Sequence, residues 1–338
     1  MRSCAPSWAS TIDHGVVPLK HSIMATLLPM VIMVPMAATV AAQPYPERPV
    51  RIVTAEAGGS QDVAARILAV GLTHALGQQV VIDNRSSGVI PGEVVARAKP
   101  DGHTLLVYAG TFWLQPLVRR SVPYDPVRDF SPISLIVASP TILVVHPALP
   151  AKSIKELIAL VKSRPGELNY AMGSVGAANH LAAELFKSMA AVDMLGIGYR
   201  GNGSAVNALV SGQVQLMFAT ASSVIPLVKS GRLRALAVAS LQPSALVPDL
   251  PTVAAAGLPG YESLSTTGFF APARTPAAII ERLHRESVRY LHSPEARQRL
   301  LAVGAETVGS TPDELAAKVK SEMARMGKVI RDAGIRAE

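Results

Sequence analysis

From residue 50 onward the chain alternates short β-branched runs with segments whose apolar residues recur at helical spacing, and this alternation restricts the fold more than any other feature. "VRIVTA" (50–55) is followed by "GGS" and by "QDVAARILAVGLTHAL" (61–76). "QVVIDN", a Ser-Gly loop, "EVVARAK", the turn "PDG" and "HTLLVYAG" come next, which makes βαβαβ within about sixty residues. The pattern predicts an α/β fold with a parallel sheet and right-handed crossovers. Ligands of such sheets sit at the carboxyl ends of strands. The loops to watch are therefore "EAGGSQD", "NRSSG" and "YAGTFW", and Trp113 in the last is expected to border a ligand.

A second unit repeats the alternation. "TILVVHPAL" (141–149) reads as strand, and "SIKELIALVKSRPG" as a helix with Ser153 as N-cap and Glu156 completing a capping box. Strand-like "LNYAMGS", "DMLGIGY", "VQLMFA" and "LRALAVAS" then alternate with helix-like "NHLAAELFKSMA", "GSAVNALVSG" and "ASSVIPLVKSG". "GFFAPA" (268–273) is extended and precedes two long helical stretches. A length of 338 residues suits about two domains of roughly 150 residues each. With 49% hydrophobic and 17% charged residues the chain can bury a proper core. The economical expectation is two α/β lobes with a ligand cleft between them, the chain crossing near residues 138–142 and again near 264–268. The expected parts are 43–140 for the first lobe, 141–265 for the second, and 266–338 returning to the first.

Residues 1–42 read differently. Lys20 and His21 precede an apolar run, "IMATLLPMVIMVPMAATVAA" (23–42), with Val40 and Ala42 at the spacing of a signal-peptidase site. A retained anchor is the other reading of about 20 apolar residues, but Pro29 and Pro35 interrupt the run. A cleavable leader and a periplasmic location are expected, with Met24 as an alternative start of translation to Met1. The single cysteine, Cys4, leaves with such a leader, which excludes a disulfide scaffold, a thiolate nucleophile and a Cys-bound metal. The remaining histidines are scattered without H-x-H or H-x-x-x-H spacing, and no metal or other cofactor is expected. Losing Arg2, Lys20 and Asp13 changes the formal charge from +8 to +7. Basic residues spread along the chain without interleaved aromatics do not describe a nucleic-acid surface; a mildly positive protein favours anionic small ligands.

Two catalytic readings fail. Gly196, Gly198 and Gly201 form a G-x-G-x-x-G, but the acidic residue that a dinucleotide ribose needs about 20 positions later is missing, the next acid being Asp249. "MGSVG" (172–176) lacks the first glycine of a nucleophile elbow, so Ser174 reads as a ligand hydrogen-bonder and an exported hydrolase is a remote alternative. No enzyme is expected. What stands out instead are two Gly/Ser turns that each lead into a helix, "GGSQD" (58–62) and "GSVGAANH" (173–180). Backbone N–H groups at a helix start, backed by the helix dipole, attract anions.

The succession "YPERPVRIV", "GGSQDVAARILA", "DNRSSG", "ARAKPDGHTLL", "VPYDPVRDFSPIS", "DMLGIGYRGNGSAVNALVSGQVQLMF", "PDLPTVAAAGLPGYE" and "GFFAPARTPAAIIERL" resembles the tripartite tricarboxylate transporter receptors, also called Bug-type receptors. The resemblance implies a two-lobed class II periplasmic binding protein (a Venus flytrap), with Rossmann-like lobes and two interlobe crossovers. It implies a monomer that closes over a carboxylate and hands it to a membrane transporter or a sensor. Carried over, the first-lobe loop is Gly58, Gly59, Ser60, Gln61 and Asp62, with Thr111 nearby. The second-lobe loop is Gly173, Ser174, Gly176, Ala177, Asn179 and His180, with Tyr199, Gly201 and Ser204 as further candidates. Where the family usually has a Pro-Phe and a further Pro, this chain has Thr54, Ala55, Glu56 and Ala57. Glu56 and Asp62 motivate an alternative ligand, an amino acid or a neutral nicotinamide-like compound.

Overall fold

The computed structural model describes residues 45–86, 88–173 and 175–336. The expected leader, with Cys4 and Trp8, lies outside these residues, as does Ser174. The first alternation is realised as β1 (Val50–Thr54), α1 (Ser60–Leu76), β2 (Val80–Asn84), α2 (Ile90–Ala96), β3 (Thr104–Ala109) and α3 (Thr111–Val118). A 16-residue strand follows, β4 (Phe130–Val145), and then α4 (Ile154–Ser163), β5 (Asn169–Met172), α5 (Ala178–Ala190), β6 (Leu195–Gly198) and α6 (Asn202–Val210). Next are β7 (Leu216–Thr220), α7 (Ala221–Lys229), β8 (Arg234–Val238), α8 (Val253–Ala256) and β9 (Leu264–Pro272). The chain finishes with α9 (Ala277–Leu291), α10 (Pro294–Ala302), β10 (Glu306–Thr307) and α11 (Pro312–Asp332).

The strands run in the order β2-β1-β3-β9-β4-β7-β5-β6, with β8 and β10 also paired to β4. β2, β1 and β3 are parallel, and so are β7, β5 and β6. β9 and β4 run antiparallel to their neighbours, so the sheet is mixed where the sequence predicts a parallel one. β4 changes partners along its length. From Phe130 to Pro140 it pairs with β9, and from Thr141 to Val145 with β7 and β8. The sequence shows only the second part of this strand, because Pro132 and Pro140 argue against an interior strand. Both are accommodated where pairing is irregular: the register slips between Pro132 and Ser134, and Pro140 is the last residue paired to β9.

Packing follows this division. Val50, Ile52, Leu68, Leu72 and Phe269 form one buried cluster, and Ile142, Val144, Leu209 and Met217 another. A third links the halves, running from Phe112, Phe130 and Phe270 through Leu143 and Phe218 to Val319 and Ile330 of α11. Phe112 and Phe130 meet edge to face at 4.7 Å, a geometry that adds about 1 kcal/mol to their burial. Ser153 caps α4 as expected, accepting from the Glu156 N–H at 3.2 Å. The reciprocal bond differs: the Glu156 carboxylate accepts from Lys152 N–H at 2.8 Å instead of from the cap residue.

Candidate functional site

Where β4 changes partners, a cleft of about 410 Å³ opens at the carboxyl ends of the flanking strands. Ser60 faces it from the start of α1, Gly173 and 177–179 from the β5–α5 turn, and Gly201 and Asn202 from the start of α6. Thr220 and Ser222 enter from the start of α7, Ser139 and Thr141 from β4, and Ser265 from β9. Of the sequence-derived candidates, Ser60, Gly173, Ala177, Asn179 and Gly201 therefore line one cavity. Its described lining contains no ionisable side chain, only hydroxyls, amides, small residues, Phe218 and Val303.

Four helices, α1, α5, α6 and α7, begin at this cleft, at Ser60, Ala178, Asn202 and Ala221. None has a side-chain N-cap bond. Of the helices that start elsewhere, α4, α8, α10 and α11 are capped by Ser153, Thr252, Ser293 and Thr311, while α2, α3 and α9 are not. The first turn of a helix leaves N–H groups without intrahelical acceptors, so the uncapped starts aim donors at the cavity. At the start of α6 the chain enters through Gly201 with φ 87° and ψ 170°, a conformation open only to glycine.

The floor of the cleft is a chain of amides and hydroxyls. Asn179 Oδ1 accepts from Gly173 N–H at 3.4 Å and from His180 N–H at 2.9 Å, and its amide donates to Asn202 Oδ1 at 3.5 Å. Asn202 Nδ2 donates to Ser223 Oγ at 3.5 Å, and Ser223 Oγ donates to the Thr220 carbonyl at 2.8 Å. Asn202, Thr220, Ser222, Ser139, Thr141 and Ser265 were not singled out from the sequence. Thr220 closes β7 and Asn202 and Ser222 open helices, which is a local signal; Ser139 and Thr141 lie inside β4 and Ser265 at the start of β9, where the sequence carries none.

The other candidates hold the loops or lie apart. Asp62, 3% exposed, accepts from Gly58 N–H at 2.9 Å, Arg66 Nε at 3.0 Å and Asn84 Nδ2 at 2.8 Å. Burial pushes its carboxyl up, but the Arg66, Asn84 and Gly58 bonds outweigh it and hold the group below the usual carboxylate range. His180 Nδ1 accepts from Gly176 N–H at 3.0 Å, which puts its proton on Nε2. Burial lowers its pKa, with Lys187 assisting and Glu184 opposing. Glu56, Gly58, Gly59 and Gln61 flank Ser60 without lining the cavity, and Glu56 is exposed. Tyr199 packs on the Ile142–Met217 cluster, and Ser204 is exposed with its hydroxyl on the Arg200 carbonyl at 3.2 Å. Thr111 lines a smaller compartment beside the cleft.

Trp113 is placed differently from expectation. The "YAGTFW" segment is helical, and α3 turns the indole into the core, 0% exposed, with Nε1 donating to Glu322 Oε2 at 2.8 Å. Of the glycines in the 196–201 segment, Gly196 has a packing role: a β-carbon there would stand 2.6 Å from the Tyr170 hydroxyl. No trio of His, Cys, Asp or Glu among the described residues could hold a metal ion. No described helix is long and apolar enough to cross a membrane.

Comparison with known proteins agrees with this architecture. Residues 64–335 match the model of the tripartite tricarboxylate transporter family receptor. Protein BugT of Bordetella pertussis is 37% identical over 308 residues, covering 88% of this chain and 93% of its own. The structure of Rpa4515 from R. palustris with adipate superimposes with a TM-score of 0.73 at 35% identity, over 86% of this chain and 99% of that one. MatC (Rpa3494) from Rhodopseudomonas palustris with bound malate gives 0.70 at 32% identity, over 85% and 100%. The fold is the α/β, two-lobed architecture of periplasmic solute-binding proteins. The chain belongs to the tripartite tricarboxylate transporter receptors, the Bug-type, TctC-like periplasmic binding proteins.

Proposed function

We propose that the protein is a periplasmic receptor that captures a small organic acid in the 410 Å³ cleft and delivers it to a tripartite tricarboxylate-type transporter or a sensor. In this reading residues 1–42 are a cleaved leader. Residues 43–140 and 266–338 form one lobe and 141–265 the other, and the monomer closes the two over the ligand.

The observation that carries the reading is the set of four uncapped helix starts around a cavity with no charged lining. One helix terminus favours a nearby anion by about 0.3–1 kcal/mol when exposed and up to ~2 kcal/mol when partly buried. Four together supply a few kcal/mol without a cation that would itself need neutralising in the empty cleft. Backbone donors and hydroxyls suit a carboxylate for the same reason: they are fixed by the fold and pay little ordering entropy on binding. That relatives of this family hold adipate and malate supports the same ligand class. An amino-bearing ligand has less support, since Asp62 already accepts from three donors and neither it nor Glu56 lines the cavity.

The test is a melting-temperature and calorimetric screen of mono-, di- and tricarboxylates, amino acids and nicotinamide on protein unfolded to strip bound ligand and then refolded. A saturable response to an acid is expected. A complete carboxylate screen without response, in protein shown to be ligand-free, overturns the reading.

A further inference from the structure

A second compartment adjoins the cleft at Ser265. It has a volume of about 60 Å³, shares Ala178 and Ser265 with the cleft and reaches under the start of β9 to α11. Its walls, unlike those of the main cleft, carry acidic and basic side chains: Glu262, Glu322 and Arg325. Lys318 takes up both acids, its Nζ 3.0 Å from Glu262 Oε2 and 3.0 Å from Glu322 Oε1. Glu322 also accepts the Trp113 indole N–H. Arg325 makes no ion pair with any described residue; its Nη1 donates to the Glu262 backbone carbonyl at 3.0 Å. Beside it Thr266 is 2% exposed, and its hydroxyl has no hydrogen-bond partner among the described residues. Buried hydroxyls are nearly always satisfied, so this one requires an account.

The Thr266 backbone is already engaged, its carbonyl accepting from Gly110 N–H at 2.8 Å. α3 starts against the same compartment at Thr111, again without a side-chain cap. A guanidinium without a carboxylate, an unpartnered buried hydroxyl and an uncapped helix start thus face one space larger than a single water requires. We propose that this compartment receives the far carboxylate of a linear dicarboxylate whose near end occupies the main cleft, with Arg325 and Thr266 as the residues that select it. The proposal rests on the carboxylate reading of the main cleft. Arg325 offers a planar donor fork matched to a carboxylate, and the Lys318 bridge partly offsets the repulsion that Glu262 and Glu322 exert. Between the two spaces stand only the small side chains of Ala178 and Ser265, which line both.

The experiment is calorimetry on refolded, ligand-free protein with butanedioate through heptanedioate, each against the monocarboxylate of equal length. Wild type, Thr266→Val and Arg325→Met are compared. Wild type is expected to prefer one diacid length over its monoacid by tenfold or more. Thr266→Val should cut that preference by about tenfold and Arg325→Met by about a hundredfold, the scale of one hydrogen bond to a charged group. Affinity for monoacids should stay the same in both. Thr266→Val removes only an unpartnered hydroxyl, so its ligand-free melting temperature should not fall, and it carries the test if Arg325→Met folds poorly. Equal binding of mono- and diacids by wild type, or a ratio unchanged in both variants, overturns the compartment while the main cleft stands. No response to any acid overturns both.

Discussion

Gly304, just after α10, and Ser222, at the start of α7, meet across the mouth of the cleft. A β-carbon on Gly304 would stand 2.8 Å from Ser222 Cβ and 3.1 Å from its backbone nitrogen. α10 packs with α1, and α7 with β4, and both residues line the cavity. Gly304 also has φ 74°, where any other residue pays about 1–2 kcal/mol.

Gly304→Val is therefore expected to hold the two sides apart. Ligand affinity should fall by about tenfold or more, since closure must then overcome over 1.4 kcal/mol of strain. Small-angle scattering with saturating ligand should show a larger radius of gyration than wild type. An unaltered affinity and radius would mean that the contact has no part in closure.

Asn202 joins Asn179 to Ser223 along the floor of the cleft. Asn202→Ala should weaken ligand binding by about tenfold, the worth of roughly one hydrogen bond, while leaving the melting temperature within a few degrees. Isothermal titration beside a thermal scan separates the two effects.

Asp62 organises the first turn through Gly58, Arg66 and Asn84. Asp62→Ala should destabilise the fold by about 2 kcal/mol, by leaving buried donors unsatisfied. Because the native carboxyl titrates below its usual value, its contribution is complete above the unfolded pKa near 3.8 and is lost as pH falls through the lower folded value. Denaturant unfolding of wild type and variant from pH 7 downward should converge only in that acid range.

His180 has the same sign and a higher window. Its folded pKa lies below 6.5, so the unfolded chain takes up the proton first, and the stability it contributes above pH 6.5 declines as pH falls through the folded pKa. His180→Gln keeps an acceptor for the Gly176 N–H but does not titrate. Its melting temperature should therefore decline less than that of wild type between pH 7 and pH 5; parallel curves would show that His180 titrates normally.

Much of this protein is legible in its residues. Alternating β-branched and helical-period segments gave the α/β class, and glycines ahead of helices pointed to Ser60 and Gly173, because backbone donors at helix starts leave a local signature; Gly201 came from the family resemblance. β4 was half hidden, since Pro132 and Pro140 break a local pattern that the mixed sheet tolerates at register slips and at a change of partner. Trp113 was misplaced because a loop and a short helix look alike over eight residues, and only the packing of Phe270 and the acceptor on Glu322 turn the indole inward.

The sequence by itself determined the class of fold, the family and the turns that approach a ligand, because periodicity and turn chemistry act between neighbours in the chain. The tertiary structure alone decided which of those turns share a cavity, that Asp62 and His180 hold loops, and that Thr266 and Arg325 line one compartment. Those facts depend on contacts between residues far apart in sequence, such as Trp113 with Glu322 and Gly304 with Ser222, for which local propensity carries no record.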